Sequence, residues 1–189
     1  MTYADILRPT LKRQALLYDI SLVLGGSLLL ALLAQLEILL PFSPVPITGQ
    51  TLGVLLLGAL LGRWRGSLAI LAYITEGVAG LPVFAGAAAG PVVLFGPTAG
   101  YIFGFVIAAF LIGMLAEKGW DRKVWTASAM MIIGTAIIYL CGMVWLANFV
   151  PADKILMSGV IPFLPGAMIK IALATLLLPA GWKFLGRDK

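Results

Sequence analysis

Three ionisable side chains, Glu37, Glu76 and Lys170, stand in stretches that are otherwise apolar. At the centre of a bilayer such a group costs about 2.5 to 3.5 kcal/mol on insertion scales, and less near the interface. Lys170 follows Pro165-Gly166 by one helical turn. The exposed amides of a helix starting there also favour negative charge, so Gly166 and Lys170 together describe a place for an anionic ligand. The competing reading is a lysine that snorkels to the headgroups or pairs with Glu76. On the residues alone the two readings stand level for both side chains, whereas Glu37 is assigned to the interface beside Pro41. Tyr101, Tyr139, Trp145 and Phe163 offer rings to a flat ligand, and Thr48, Gln50 and Asn148 offer hydrogen bonds. Taken singly, each ring also suits a membrane interface, and each polar group suits a helix–helix bond of about 0.6 kcal/mol. With no histidine, no nucleophile–base pair, no phosphate loop and no haem or metal motif, the chain is expected to be a binder and not an enzyme. Neither a cofactor nor a metal is expected.

The elements that must position these residues are membrane spans. Of 189 residues, 61% are hydrophobic and 11% charged, against roughly 25% charged in soluble domains. The fold expected is an all-α membrane protein of six transmembrane helices in one domain, residues 1–189, with Gly/Pro-rich outer loops. The spans are placed at about 20–40, 47–61, 67–78, 97–116, 124–149 and 167–185; the first and the last three are close to or above the roughly 20 residues that cross a bilayer, and the second and third are shorter. The prolines at 41, 44 and 46 stop the first span, since proline lacks the amide donor. Gly100, Gly104 and Ala108 recur at intervals of four and predict a packing groove on the fourth. The single cysteine, Cys141, excludes a disulfide within the chain, and residues 1–18 do not read as a cleaved signal peptide.

The net charge of +5 is topological and does not point to nucleic acid. Arg8, Lys12 and Arg13, then Arg63 and Arg65, then Lys118, Arg122 and Lys123, then Lys183, Arg187 and Lys189 fall on one side of a six-span chain. Only Lys154 and Lys170 fall on the other, so the positive-inside rule predicts cytoplasmic termini. Residues 80–101 then face outward. This uncharged loop mixes glycine and proline with Leu81, Val83, Phe84 and Val92 to Phe95, a composition that predicts a segment folded back over a site.

Several motifs in order carry a resemblance. Pro44-Val-Pro-Ile-Thr48 with Gln50-Thr-Leu-Gly53, Gly80-Leu-Pro-Val-Phe-Ala-Gly86, Gly96-Pro-Thr-Ala-Gly-Tyr101, and Pro162-Phe-Leu-Pro-Gly166 with Lys170 are similar to the BioY family. These are the biotin-binding S components of energy-coupling factor (ECF) transporters. The resemblance implies a multi-pass protein of the plasma (inner) membrane that captures biotin from outside. It implies a membrane-embedded T component and two ATPase subunits as partners, docked on small residues of the first helix, here Ser27 and Ala31. The ligand contacts it implies, with those argued above, are Lys170, Glu76, Gln50, Phe84, Tyr101, Tyr139, Trp145, Asn148 and Gly166. Family members often place an acid directly after Pro-Gly, where this chain has Ala167, and an arginine where it has Ala87-Ala-Ala89. Glu76 is the expected substitute acceptor. The alternatives are an S component for another small vitamin and a non-transporting membrane assembly subunit.

Overall fold

The computed structural model describes residues 2–185. Arg187 and Lys189 of the basic tail lie outside the described residues. A four-residue helix α1 (Tyr3–Ile6) leads into α2 (Lys12–Ala34), followed by β1 (Glu37–Leu40), β2 (Ser43–Thr48), α3 (Gln50–Val78), α4 (Ala99–Glu117), α5 (Val124–Leu146), the short α6 (Ile155–Gly159) and α7 (Leu164–Phe184). Among the described residues five helical stretches are long and apolar enough to cross a membrane. Their outer faces remain apolar, as Leu24, Leu28 and Leu32 on α2 and Met168, Ile169 and Leu176 on α7 illustrate. That is the surface a multi-pass membrane protein presents to lipid.

The first span differs from its expected place. It begins at Lys12 and ends at Ala34, and residues 37–48 form an antiparallel hairpin in which Glu37 faces Thr48, Ile38 faces Ile47 and Leu40 faces Ser43. The apolar run Leu36 to Leu40 looks like more helix in hydropathy, but Pro44 and Pro46 cannot donate and so suit a two-stranded ribbon with a free edge. The ribbon is anchored where Ser43 Oγ donates to the Ser158 carbonyl at 2.6 Å.

The expected second and third spans are two arms of α3. The break is a single residue, Gly62, whose φ of +83° is open to glycine and strained for any other residue. The basic turn expected over 62–66 is therefore tighter, and helix resumes at once. Beyond it the arms run back alongside each other: a Cβ on Gly66 would lie 3.0 Å from Gly58 Cα, and Gln50 meets Tyr73 at the far end. Helix α4 packs on α3 and α5 through its small residues, as expected. A Cβ on Gly100 would lie 2.3 Å from Trp145 Cβ, and Ala108 is fully buried.

The basic clusters gather at one end of the bundle. Arg65 bridges Asp5 and Asp19 at 2.8 and 2.7 Å, Arg63 pairs with Glu117 at 3.2 Å, and Trp182 Nε1 donates to buried Asp121 at 2.6 Å. The hairpin and the loop over 79–98 form the opposite end. Ser27 and Ala31 are 1% and 8% exposed and pack inward, so they do not form the accessible docking face expected of them. Ser27 Oγ instead donates to Glu76 Oε1 at 2.8 Å, stitching α2 to the second arm of α3.

Candidate functional site

A cavity of about 580 Å³ lies at the hairpin end. The hairpin, both arms of α3, the loop before α4, the first turns of α4, and one face each of α5 and α7 contribute to its wall. Apolar side chains dominate: Val45 and Ile47 from β2, Phe84 and Val93 from the loop, Ile102 and Phe105 from α4. Its volume suits a small molecule with most of its surface enclosed.

Lys170 enters this wall from the second turn of α7 and is half-buried. Its Nζ donates to the Thr48 carbonyl at 2.5 Å and to Thr51 Oγ1 at 2.8 Å, so the amine is held against the junction of β2 and α3. No carboxylate pairs with it among the described residues. An ammonium has three donors and two are occupied here, which leaves one for an incoming acceptor. Next to it runs a polar relay: Thr48 Oγ1 donates to Gln50 Oε1 at 3.0 Å, and Gln50 Nε2 donates to the Tyr73 hydroxyl at 2.8 Å. These bonds fix the amide of Gln50 in one orientation and satisfy groups that would otherwise be costly to bury.

Phe84 is 2% exposed and stands edge-on to Tyr73, with ring centroids 5.4 Å apart. Its seat requires glycine at 77, where a Cβ would lie 2.3 Å from the ring. Gln35, at the end of α2, clasps the same loop. Its Nε2 donates to the Phe84 carbonyl at 3.1 Å, and its Oε1 accepts from the Ala87 amide at 3.1 Å. Ala87 has a φ of +54°, an unfavourable conformation for an L side chain, and the clasp helps hold it there.

Of the ligand contacts expected from the sequence, Lys170, Gln50, Phe84, Tyr101 and Tyr139 line the cavity. Tyr101 presents its ring, because its hydroxyl donates to the Gly159 carbonyl at 2.8 Å. The other four lie outside the wall. Glu76 faces Ser27 of α2, Asn148 is exposed and donates to the Trp145 carbonyl of its own helix end, and Gly166 sits one turn before Lys170 without reaching the cavity. Trp145 acts one step back, its indole donating to the Gly96 carbonyl at 2.9 Å and so fixing a residue that does line the wall. The sequence reading missed Tyr73, Thr51 and Glu37 as parts of the wall. Tyr73 had a signal: it lies eleven residues after Gly62, and Gln50 twelve before it, so a hairpin turn at Gly62 brings them together. The arrangement has a cation, aligned acceptors and an apolar enclosure but no activated nucleophile. Its chemistry is binding.

The model of the BioY family matches residues 8–187. A biotin transporter from Thermotoga maritima is 42% identical over 140 residues, 73% of this chain and 81% of that one. A probable biotin transporter from Pyrococcus horikoshii is 38% identical over 159 residues, 84% and 93% of the two chains. Among solved structures, the S-component for biotin from an ECF-type ABC transporter superposes with a TM-score of 0.80 at 25% identity, covering 93% of this chain and 95% of that chain.

Proposed function

Because the chain belongs to the BioY family, we propose that it is the biotin-capturing membrane subunit of an ECF transporter. It takes biotin from outside the plasma membrane and delivers it inward with a T component and two ATPase subunits. The observation that carries this reading is Lys170, an ammonium in a largely apolar cavity wall with which no carboxylate pairs among the described residues. Biotin supplies the carboxylate, an apolar chain and a compact fused ring. Nanomolar capture requires about 12 kcal/mol, and biotin has roughly 16 non-hydrogen atoms, or about 0.8 kcal/mol each. That efficiency demands close enclosure, for which the hairpin and the clasped loop are placed.

The two arms of α3, counted separately, bring the spans to six, and the end bearing Arg8, Arg63, Arg65 and Arg122 is then cytoplasmic, with the cavity facing outward. Since Ser27 and Ala31 are buried, docking to the T component falls to other parts of the surface. Isothermal titration of the purified chain with biotin and a panel of other vitamins tests the reading. Selective, tight biotin binding is expected. Absent binding, or tighter binding of another vitamin, refutes it.

A further inference from the structure

Among the described residues two charged side chains belong to the cavity wall, Lys170 and Glu37. Lys170 is already held by Thr48 and Thr51. Glu37 is not held. It opens β1, directly opposite Thr48, and its carboxylate borders the loop at Gly86, where a Cβ would lie 3.2 Å from Oε1. Among the described residues no donor reaches either carboxylate oxygen, and no cation stands within ion-pair distance. Two other acceptors of the wall are engaged: Gln50 Oε1 accepts from Thr48, and the Tyr73 hydroxyl accepts from Gln50. A half-buried carboxylate facing an apolar wall gains most from donors that arrive with a ligand.

We propose that Glu37 is a specificity-determining residue that accepts the N–H groups of the captured ligand. The site thereby selects a molecule with a carboxylate for Lys170 and N–H donors for Glu37. This rests on biotin being the ligand, whose cyclic urea carries two such N–H groups. Because Glu37 faces Thr48 and Thr48 holds Lys170, both contacts are referred to one strand pair. A ligand that meets both groups is therefore held against the hairpin where Glu37 pairs with Thr48, and its affinity depends on both its carboxylate and its N–H donors.

The test is calorimetry of the full chain and of Glu37→Ala and Glu37→Gln, using biotin and biotin methylated on its ureido nitrogens. A charge-assisted bond predicts that Glu37→Ala weakens biotin by about 10- to 100-fold. Glu37→Gln, which keeps an acceptor oxygen, should fall between the two. The methylated ligand should bind the unaltered chain weakly and lose little more in Glu37→Ala. The inference is overturned if Glu37→Ala binds biotin as the unaltered chain does, or loses the same factor for both ligands, as a misfolded hairpin would. If the unaltered chain does not bind biotin, the biotin reading falls and this inference with it; an insensitive Glu37→Ala in a biotin-binding chain removes the inference alone.

Discussion

Replacing Lys170 by methionine keeps the aliphatic stem and removes the charge. Two losses follow. The first is structural: the Thr48 carbonyl and Thr51 hydroxyl lose their shared donor, which loosens the seam between β2 and α3 whatever ligand is present. The second is specific, the bond to the ligand carboxylate. Hydrogen bonds to charged groups are worth about 1.5 to 3 kcal/mol, so biotin affinity should fall by about 12- to 160-fold. Biotin amide separates the two losses, since it still offers the ammonium an acceptor oxygen but no charge. Only the acid also loses an attraction between opposite charges, about 1 kcal/mol at about 4 Å in water and more where water is partly excluded. The structural loss is common to both ligands, and biotin should therefore lose about fivefold more than its amide, a difference of about 1 kcal/mol. Titration calorimetry of both ligands against both proteins gives this ratio. The difference should persist at raised salt, because a half-buried pair is screened less than an exposed one. Equal losses for acid and amide would refute the assignment of Lys170 to the carboxylate and leave it a structural tie.

The Gln35 clasp predicts that Gln35→Ala, by freeing the Phe84 carbonyl and the Ala87 amide, speeds biotin release by about 5- to 30-fold at about 1 kcal/mol per bond lost. Stopped-flow dissociation reads this, and an unchanged rate would show that the loop stays seated without the clasp. Glu76→Ala should leave biotin affinity as it is and lower the unfolding temperature, since its partner is Ser27 and not the cavity; calorimetry beside a thermal melt distinguishes the two, and weakened binding would contradict this placement. Burial raises the Asp121 carboxyl above its usual 3.8, only partly offset by the Trp182 bond and the Arg122 charge. A raised acid is protonated more in the folded than in the unfolded chain, so this contribution to stability is present at low pH and is lost as pH rises from 3.8 through the raised value. Asp121→Asn, which still offers Trp182 an oxygen, should flatten that fall in unfolding temperature across the same interval. Parallel pH profiles would show that Asp121 does not drive it.

Composition alone settled the class of this protein, because a chain 61% hydrophobic has no soluble way to bury itself, and motifs spread from Pro44 to Lys170 were enough to indicate the family. The packing role of Gly100, Gly104 and Ala108 was also legible, since a four-residue repeat of small side chains marks a helix face wherever the helix sits. The folding-back of the uncharged loop was legible in part: Phe84 is buried and Val93 lines the cavity, whereas Leu81, Val92 and Phe95 stay exposed. What periodicity could not reveal was how the chain turns. Leu36 to Leu40 is apolar in either a helix or a strand, and only pairing with residues 43–48 makes it a hairpin and carries Glu37 from the interface into a cavity wall. Similarly, Glu76 and Lys170 both lie at helix ends of the same sign of hydropathy, but rotation about the helix axis sends one to Ser27 and the other to Thr48. Hydropathy records how deep a residue lies along a span. Which neighbour it faces depends on how the helices pack around one another, and that is a property of the whole fold.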